Sequence, residues 1–339
     1  MIKLPLAVAL LVVSSSAAAQ NNVLVPVERT PIVGADERAY SLMLPTACDE
    51  QGRTYARLSR VEAGIDDPLL RISNKGSVDV QFGTSGEVLN RYAIRHDGGV
   101  IMYHSDGKDK FLDNFGSDGA RESSVRLEVP PTAFFPSQLA IFQSGEIFMA
   151  GQQYRPSYKA SAAIYSPSGL LIKQPVLDED EKREQEIVSD SGAQKLNAQA
   201  IDKSVATAGD DGLVYLMRPT NPAVVYGISR SGEMLRTLQV PAPAGAGDPW
   251  FGLRVVKNRL VIQYRRDCGP AVRACVGSIF TVLDATSGKT LAVYQADAKE
   301  VSGLLTCYAP DPDRFFLLSL SPQARRWDIV EARATEGSQ

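Results

Sequence analysis

"FPSQLAIFQSGEIFMAG", residues 135–151, reads as two short strands turning at Ser144-Gly145. Apolar residues flank one polar turn, and Gly supplies the positive φ that a tight hairpin needs. The same pattern recurs along the chain. "LPTACDEQGRTYARL" (44–58) turns at Gly52 and "NRYAIRHDGGVIMYHS" (90–105) at Asp97-Gly98. "ATAGDDGLVYLMR" (206–218) turns at Asp211-Gly212, "WFGLRVVKNRLVIQYR" (250–265) at Lys257-Asn258, and "VSGLLTCYAPDPDRFFLLS" (301–319) near Asp311-Pro312. The turns fall at 52, 98, 145, 212, 258 and 311, so successive intervals are 46, 47, 67, 46 and 53 residues.

A second hairpin follows each of the first five, at 69–82, 110–127, 162–175, 224–240 and 278–294. Each turns at a Gly: Gly76, Gly119, Gly169, Gly232 and Gly288. Two hairpins per period make four strands per repeat, and radial repetition of four-stranded sheets is the β-propeller. The sequence therefore predicts an all-β fold, a six-bladed β-propeller with four-stranded blades. The last repeat lacks a fourth strand after "RRWDIVEARA" (325–334). The N-terminal segment 21–34 is expected to supply it and close the ring, removing an exposed edge.

The motifs "SGEIFMA" and "DDGLVYLM", followed by "SPSG" or "SRSG", resemble the six-bladed propellers of the NHL-like family, and more loosely the lactonase and lyase propellers. That resemblance spans most of residues 40–330 and speaks to architecture. Where NHL repeats carry an Asp and an Asn between hairpins, this sequence reads "GQQYRPSYKA" or "MRPTNPA".

Residues 1–19 have the pattern of a secretory signal peptide: Lys3, an apolar run from Leu4 to Val13, and Ala17-Ala18-Ala19. Residues 20–339 are then a single propeller domain, secreted or periplasmic, with a charged insertion at about 176–199 inside the long interval. No later stretch reads as a membrane span. A net charge of −3 provides no global field for nucleic acid, and a monomer is expected.

In an exported chain four Cys suggest two disulfides. Cys268 and Cys275 enclose six residues and are expected to pair. Cys48 and Cys307 then pair by elimination. Each lies four residues before its turn, so each takes the same place on an inner strand of the first and last repeats.

The hairpin turns should share one face, and the links between hairpins the other. The links carry Arg or Lys in every repeat, and the turns are rich in acid (Asp49, Glu50, Asp97, Glu146, Asp210, Asp211, Asp311, Asp313). Arg beside Tyr or Trp is the composition of interface hot spots. Candidate binding residues on the link face are Arg155, Tyr158, Arg218, Tyr264, Arg265, Arg266, Arg325 and Trp250.

A propeller lactonase needs carboxylates and Asn on inner strands to hold a divalent metal. The inner strands carry almost none, so no metal, cofactor or catalytic residue is assigned. His104, placed in a link, is the best candidate base. The sequence favours a non-catalytic binding or scaffold propeller whose partner is a protein, peptide or glycan, anionic ones included. The alternative is a propeller hydrolase or lyase, lactonase-like, with an unlocated active site.

Overall fold

The computed structural model describes residues 21–35, 41–59, 67–83, 91–106, 109–130, 133–153, 159–177, 201, 203–266, 277–296, 301–321, 324 and 326–335. The expected signal peptide, the Cys268–Cys275 pair and nearly all of the charged insertion lie outside these residues.

The described chain is built of strands, taken in sequence order. They start with β1 (Asn21–Pro31), β2 (Ser41–Cys48), β3 (Thr54–Ser59), β4 (Leu69–Ile72) and β5 (Val78–Phe82). Next come β6 (Tyr92–Ile94), β7 (Val100–Ser105), β8 (Lys110–Phe115) and β9 (Arg121–Arg126). Then come β10 (Phe135–Ile141), β11 (Ile147–Gln153), β12 (Lys159–Tyr165) and β13 (Leu171–Lys173). They are followed by β14 (Val205–Ala208), β15 (Val214–Arg218), β16 (Ala223–Ile228) and β17 (Met234–Val240). The last group is β18 (Ala246–Val256), β19 (Arg259–Arg266), β20 (Ser278–Asp284), β21 (Thr290–Ala296), β22 (Leu304–Ala309), β23 (Arg314–Ser321) and β24 (Arg326–Ala334).

Strands β2–β5, β6–β9, β10–β13 and β14–β17 each form a four-stranded antiparallel sheet in chain order, giving an all-β, propeller-like arrangement. The expected turns are present. At the β18–β19 turn two non-glycine residues, Lys257 and Asn258, take positive φ of 47° and 58°.

The expectation of six separate four-stranded sheets holds for four of them. The other eight strands form one sheet, in the order β18-β19-β20-β21-β1-β24-β23-β22. Strand β1 is the reason. Its first residues pair in parallel with β21 (Asn21 with Val293 to Leu24 with Ala296). From Leu24 to Pro31 it pairs antiparallel with β24. A strand of eleven residues is long enough to be shared in this way.

The buried apolar side chains fall into groups between neighbouring sheets. Tyr55, Phe82 and Met102 join the first sheet to the second. Tyr103, Leu139 and Met149 join the second to the third. Phe148, Leu216 and Tyr226 join the third to the fourth. Met217 and Val225 pack on Leu260 and Ile262. Phe280 meets Phe315 inside the large sheet at 5.0 Å. Ala56, Leu70 and Ile72 pack on Leu318 and Ile329, so the first sheet also contacts the end of the large one.

A glycine repeats at these junctions. A Cβ on Gly119 would lie 2.5 Å from Gln81 O of β5, and one on Gly169 2.4 Å from Arg126 O of β9. Only glycine tolerates both that approach and its positive φ. Gly76 meets Pro31 of β1 in the same way, at 2.2 Å.

Candidate functional site

Each first strand of a repeat (β2, β6, β10, β14, β18, β22) is an edge of its sheet. Around the interior β2 contacts β6, β6 contacts β10, and the succession runs through β14, β18 and β22 back to β2. These edges enclose a cavity of about 1200 Å3 lined by segments from all six. Its lining includes Asp49–Gly52, Arg95, His96, Asp210 and Lys257, so it reaches the face that carries the first-hairpin turns.

Unpaired strand edges carry exposed N–H and C=O groups that need partners. Side chains supply several. Tyr92 Oη donates to Pro45 O at 2.9 Å, linking β6 to β2. Gln263 Nε2 donates to Gly303 O, and its Oε1 accepts from Leu305 N, both at 2.8 Å. Arg254, on β18, reaches furthest. Its guanidinium donates to Thr306 O, to Leu253 O at 2.6 Å, to Thr46 O at 3.0 Å and to Leu305 O at 3.1 Å. One side chain thus ties β18, β22 and β2. Arg254 is 7 % exposed, and burial pushes its guanidinium down to about 10.

The acid of the turn face is answered locally, which corrects the expected contrast between faces. Arg53 Nε lies 2.6 Å from Asp49, Arg95 Nη2 2.6 Å from Asp97, and Arg236 Nη1 2.6 Å from Asp211. Arg259 spans Asp311 at 2.9 Å and Asp313 at 2.6 Å. Tyrosines join these clusters. Tyr55 Oη donates to Asp49 at 3.0 Å, and Tyr294 and Tyr308 both donate to Asp313. Burial first, and the neighbouring carboxylate second (the charge of Asp49 at Tyr55, the hydrogen bond to Asp313 at Tyr294 and Tyr308), raise the three tyrosines well above the ordinary phenol range.

The sequence-predicted link residues separate into three groups. Arg155, Tyr158 and Arg325 lie outside the described residues. Arg218 and Tyr264 are buried, at 3 % and 0 % exposure, so neither belongs to a solvated rim, and Tyr264 joins the packing between sheets. Arg265 and Arg266 are exposed at the end of β19, and the Arg265 guanidinium stands 5.0 Å over the Trp250 ring. In this hairpin Pro249 pairs with Tyr264, so the plate lies at the end opposite Lys257-Asn258.

His104 belongs to β7 rather than to a link. Its Nδ1 lies 3.0 Å from Asp113 Oδ2, and its ring stacks on Phe111 at 5.0 Å. Asp113 is buried and also pairs with Arg121. His96 pairs with Glu50 at 2.8 Å on the turn face. Among the described residues no three His, Cys, Asp or Glu converge as a metal site, and no helix is long and apolar enough to cross a membrane.

No family model matches the chain, and no curated protein matches it. Among solved structures it is similar to a protein of unknown function from Bacteroides caccae, at 13 % identity and a TM-score of 0.46, over 76 % of this chain and 82 % of that one. It is similar to a protein of unknown function from Dyadobacter fermentans, at 8 % and 0.49, over 92 % and 99 %. It is similar to the Dos1 propeller, at 9 % and 0.44, over 87 % and 78 %. At these scores the likenesses carry no argument, and the propeller-like description rests on the sheets themselves.

Proposed function

We propose that the chain is an exported, non-catalytic binding or scaffold propeller that recognises a protein, peptide or glycan partner on its link face. The observation that carries this is the exposed Arg265 guanidinium over the half-buried Trp250 ring. A guanidinium held on an indole keeps its donor edge free for carboxylate, sulfate or sugar oxygens, and Trp and Arg dominate binding energy at such surfaces.

The reading includes six blades, of the NHL-like type, in a monomer. The large sheet is two blades joined through β1, which completes the last blade and closes the ring. Three observations support this. The first strands contact one another in a closed succession. The apolar groups reach from the first sheet round to Leu318 and Ile329. Gly76 packs on β1 as Gly119 packs on β5 and Gly169 on β9, which puts β1 in the outer-strand position. Export is supported by the signal-peptide pattern of residues 1–19 and by the Cys48–Cys307 disulfide.

The test is capture of partners from envelope extract by the mature protein and by W250A/R265A. Loss of a specific partner in the variant supports the reading; capture of the same partners by both defeats it. A second reading, a hydrolase or lyase, is favoured by the closeness of His104 Nδ1 to Asp113 Oδ2, 3.0 Å, although the two are not aligned as a hydrogen bond. Lactone hydrolysis abolished by H104A would support it.

A further inference from the structure

The cavity lining holds a buried cation, Arg254, that the link-face reading does not use. Of the carboxylates lining the cavity, three are paired with basic side chains and two, Glu28 and Asp210, accept only neutral hydrogen bonds. Glu28 accepts from Thr30, Asp49 from Arg53 and Tyr55, and Glu50 pairs with His96. Asp210 accepts from Lys257 N, and Glu331 pairs with Arg333. Three lining cations, Lys75, Lys257 and Arg254, have no carboxylate partner among the described residues. Arg254 is the notable one, because it is buried and all its partners are carbonyl oxygens.

Carbonyl dipoles solvate a guanidinium but leave its charge uncompensated, and a buried charge without a counter-charge is costly. Burial has already drawn the Arg254 guanidinium down to about 10. Four of its N–H groups are engaged; a guanidinium has about five, so one on Nη1 remains. Gln138, also buried and lining the cavity, adds an amide. Leu139, Ile141, Val205 and Val255 provide apolar wall. A concavity that sets apolar wall beside convergent polar groups is the usual form of a small-molecule site.

We propose that this cavity binds a small organic oxyanion, its carboxylate or phosphate directed at Arg254 and its apolar body on the strand walls, entering from the turn face past Lys75 and Lys257. The site lies at the opposite end of the hairpins from Trp250 and Arg265, so it stands or falls independently of the proposed partner surface.

The experiment is calorimetric titration of the mature protein with inorganic phosphate, with succinate and with neutral succinamide. Binding of phosphate or succinate and none of succinamide is expected; whichever anion binds more tightly identifies the group. R254K should weaken binding by at least about tenfold, since an ammonium loses the planar fork. Because Arg254 also ties three strands, T207E is the second variant. Thr207 lines the cavity and its hydroxyl donates to Ala208 O rather than to Arg254, so a carboxylate at this position adds negative charge to the cavity without removing any of those bonds. T207E should abolish oxyanion binding with an unchanged unfolding midpoint, and W250A should bind as the parent does. The proposal is overturned if neither anion binds at millimolar concentration, if succinamide binds as well as succinate, or if folded T207E binds like the parent.

Discussion

Cys48 and Cys307 are bonded, with Cα atoms 5.3 Å apart across a sequence separation of 259. They join the end of β2 to β22, the first strands of the first and last repeats. Cross-linking so long a loop restricts the unfolded chain, by about 5–6 kcal/mol in the loop-entropy picture. The C48A/C307A variant is expected to lose that much in urea unfolding and to remain folded at low temperature. An unchanged midpoint would mean that β2 and β22 are held by packing alone.

The repeated glycines make a graded prediction. Gly119 has φ +84° and a backbone oxygen 2.5 Å from any added Cβ; Gly212 has φ +79° with nothing within 4 Å. Gly212→Ala should cost about 1 kcal/mol, the backbone term alone. Gly119→Ala should cost about 2–4 kcal/mol, because the sheets must also separate. Equal losses in denaturant unfolding would contradict the close approach.

Asp313 holds two tyrosines, Tyr294 and Tyr308, as well as Arg259. Removing it leaves half-buried hydroxyls without an acceptor. Asp313→Ala should destabilise by about 2–4 kcal/mol. Adding Tyr294→Phe and Tyr308→Phe to that variant should recover part of the loss, a non-additivity visible in a mutant cycle.

Alkali should unfold the protein. Tyr92, Tyr165 and Tyr264 are raised above the ordinary value of 10.0, with burial the first cause in each. Above that pH the unfolded chain loses protons that the folded chain keeps. The stability they contribute is complete below pH 10 and falls as pH rises, by ~1.4 kcal/mol per pH unit for each tyrosine. Arg254, depressed rather than raised, works the other way above pH 10, but one group does not offset several. Phenolate absorbance should appear in one step together with loss of the folded circular dichroism signal. Stepwise titration of these tyrosines in the folded state would refute their burial.

The periodicity of turns was enough to find the strands, because hairpin turns are local: they need positive φ, and Gly, Asn and Asp announce where it occurs. Gly145 and the pair Lys257-Asn258 were legible for that reason. The Cys48–Cys307 bond was legible too, since equal spacing from equal turns puts two residues at equal height. Link residues were read less well. Arg218 and Tyr264 look like rim residues by type and position, yet both are buried, Tyr264 among apolar side chains of the neighbouring sheet.

What needed the tertiary structure depends on residues far apart in the chain. The sharing of β1 between β21 and β24 is a matter of strand length and register across some 300 positions, about which local pattern is silent. Arg254 is an ordinary strand residue in "FGLRVV"; only assembly brings Thr46, Leu305 and Thr306 to its guanidinium. The cavity and its unanswered charge exist because six strand edges, each unpaired on one side, meet around a common interior.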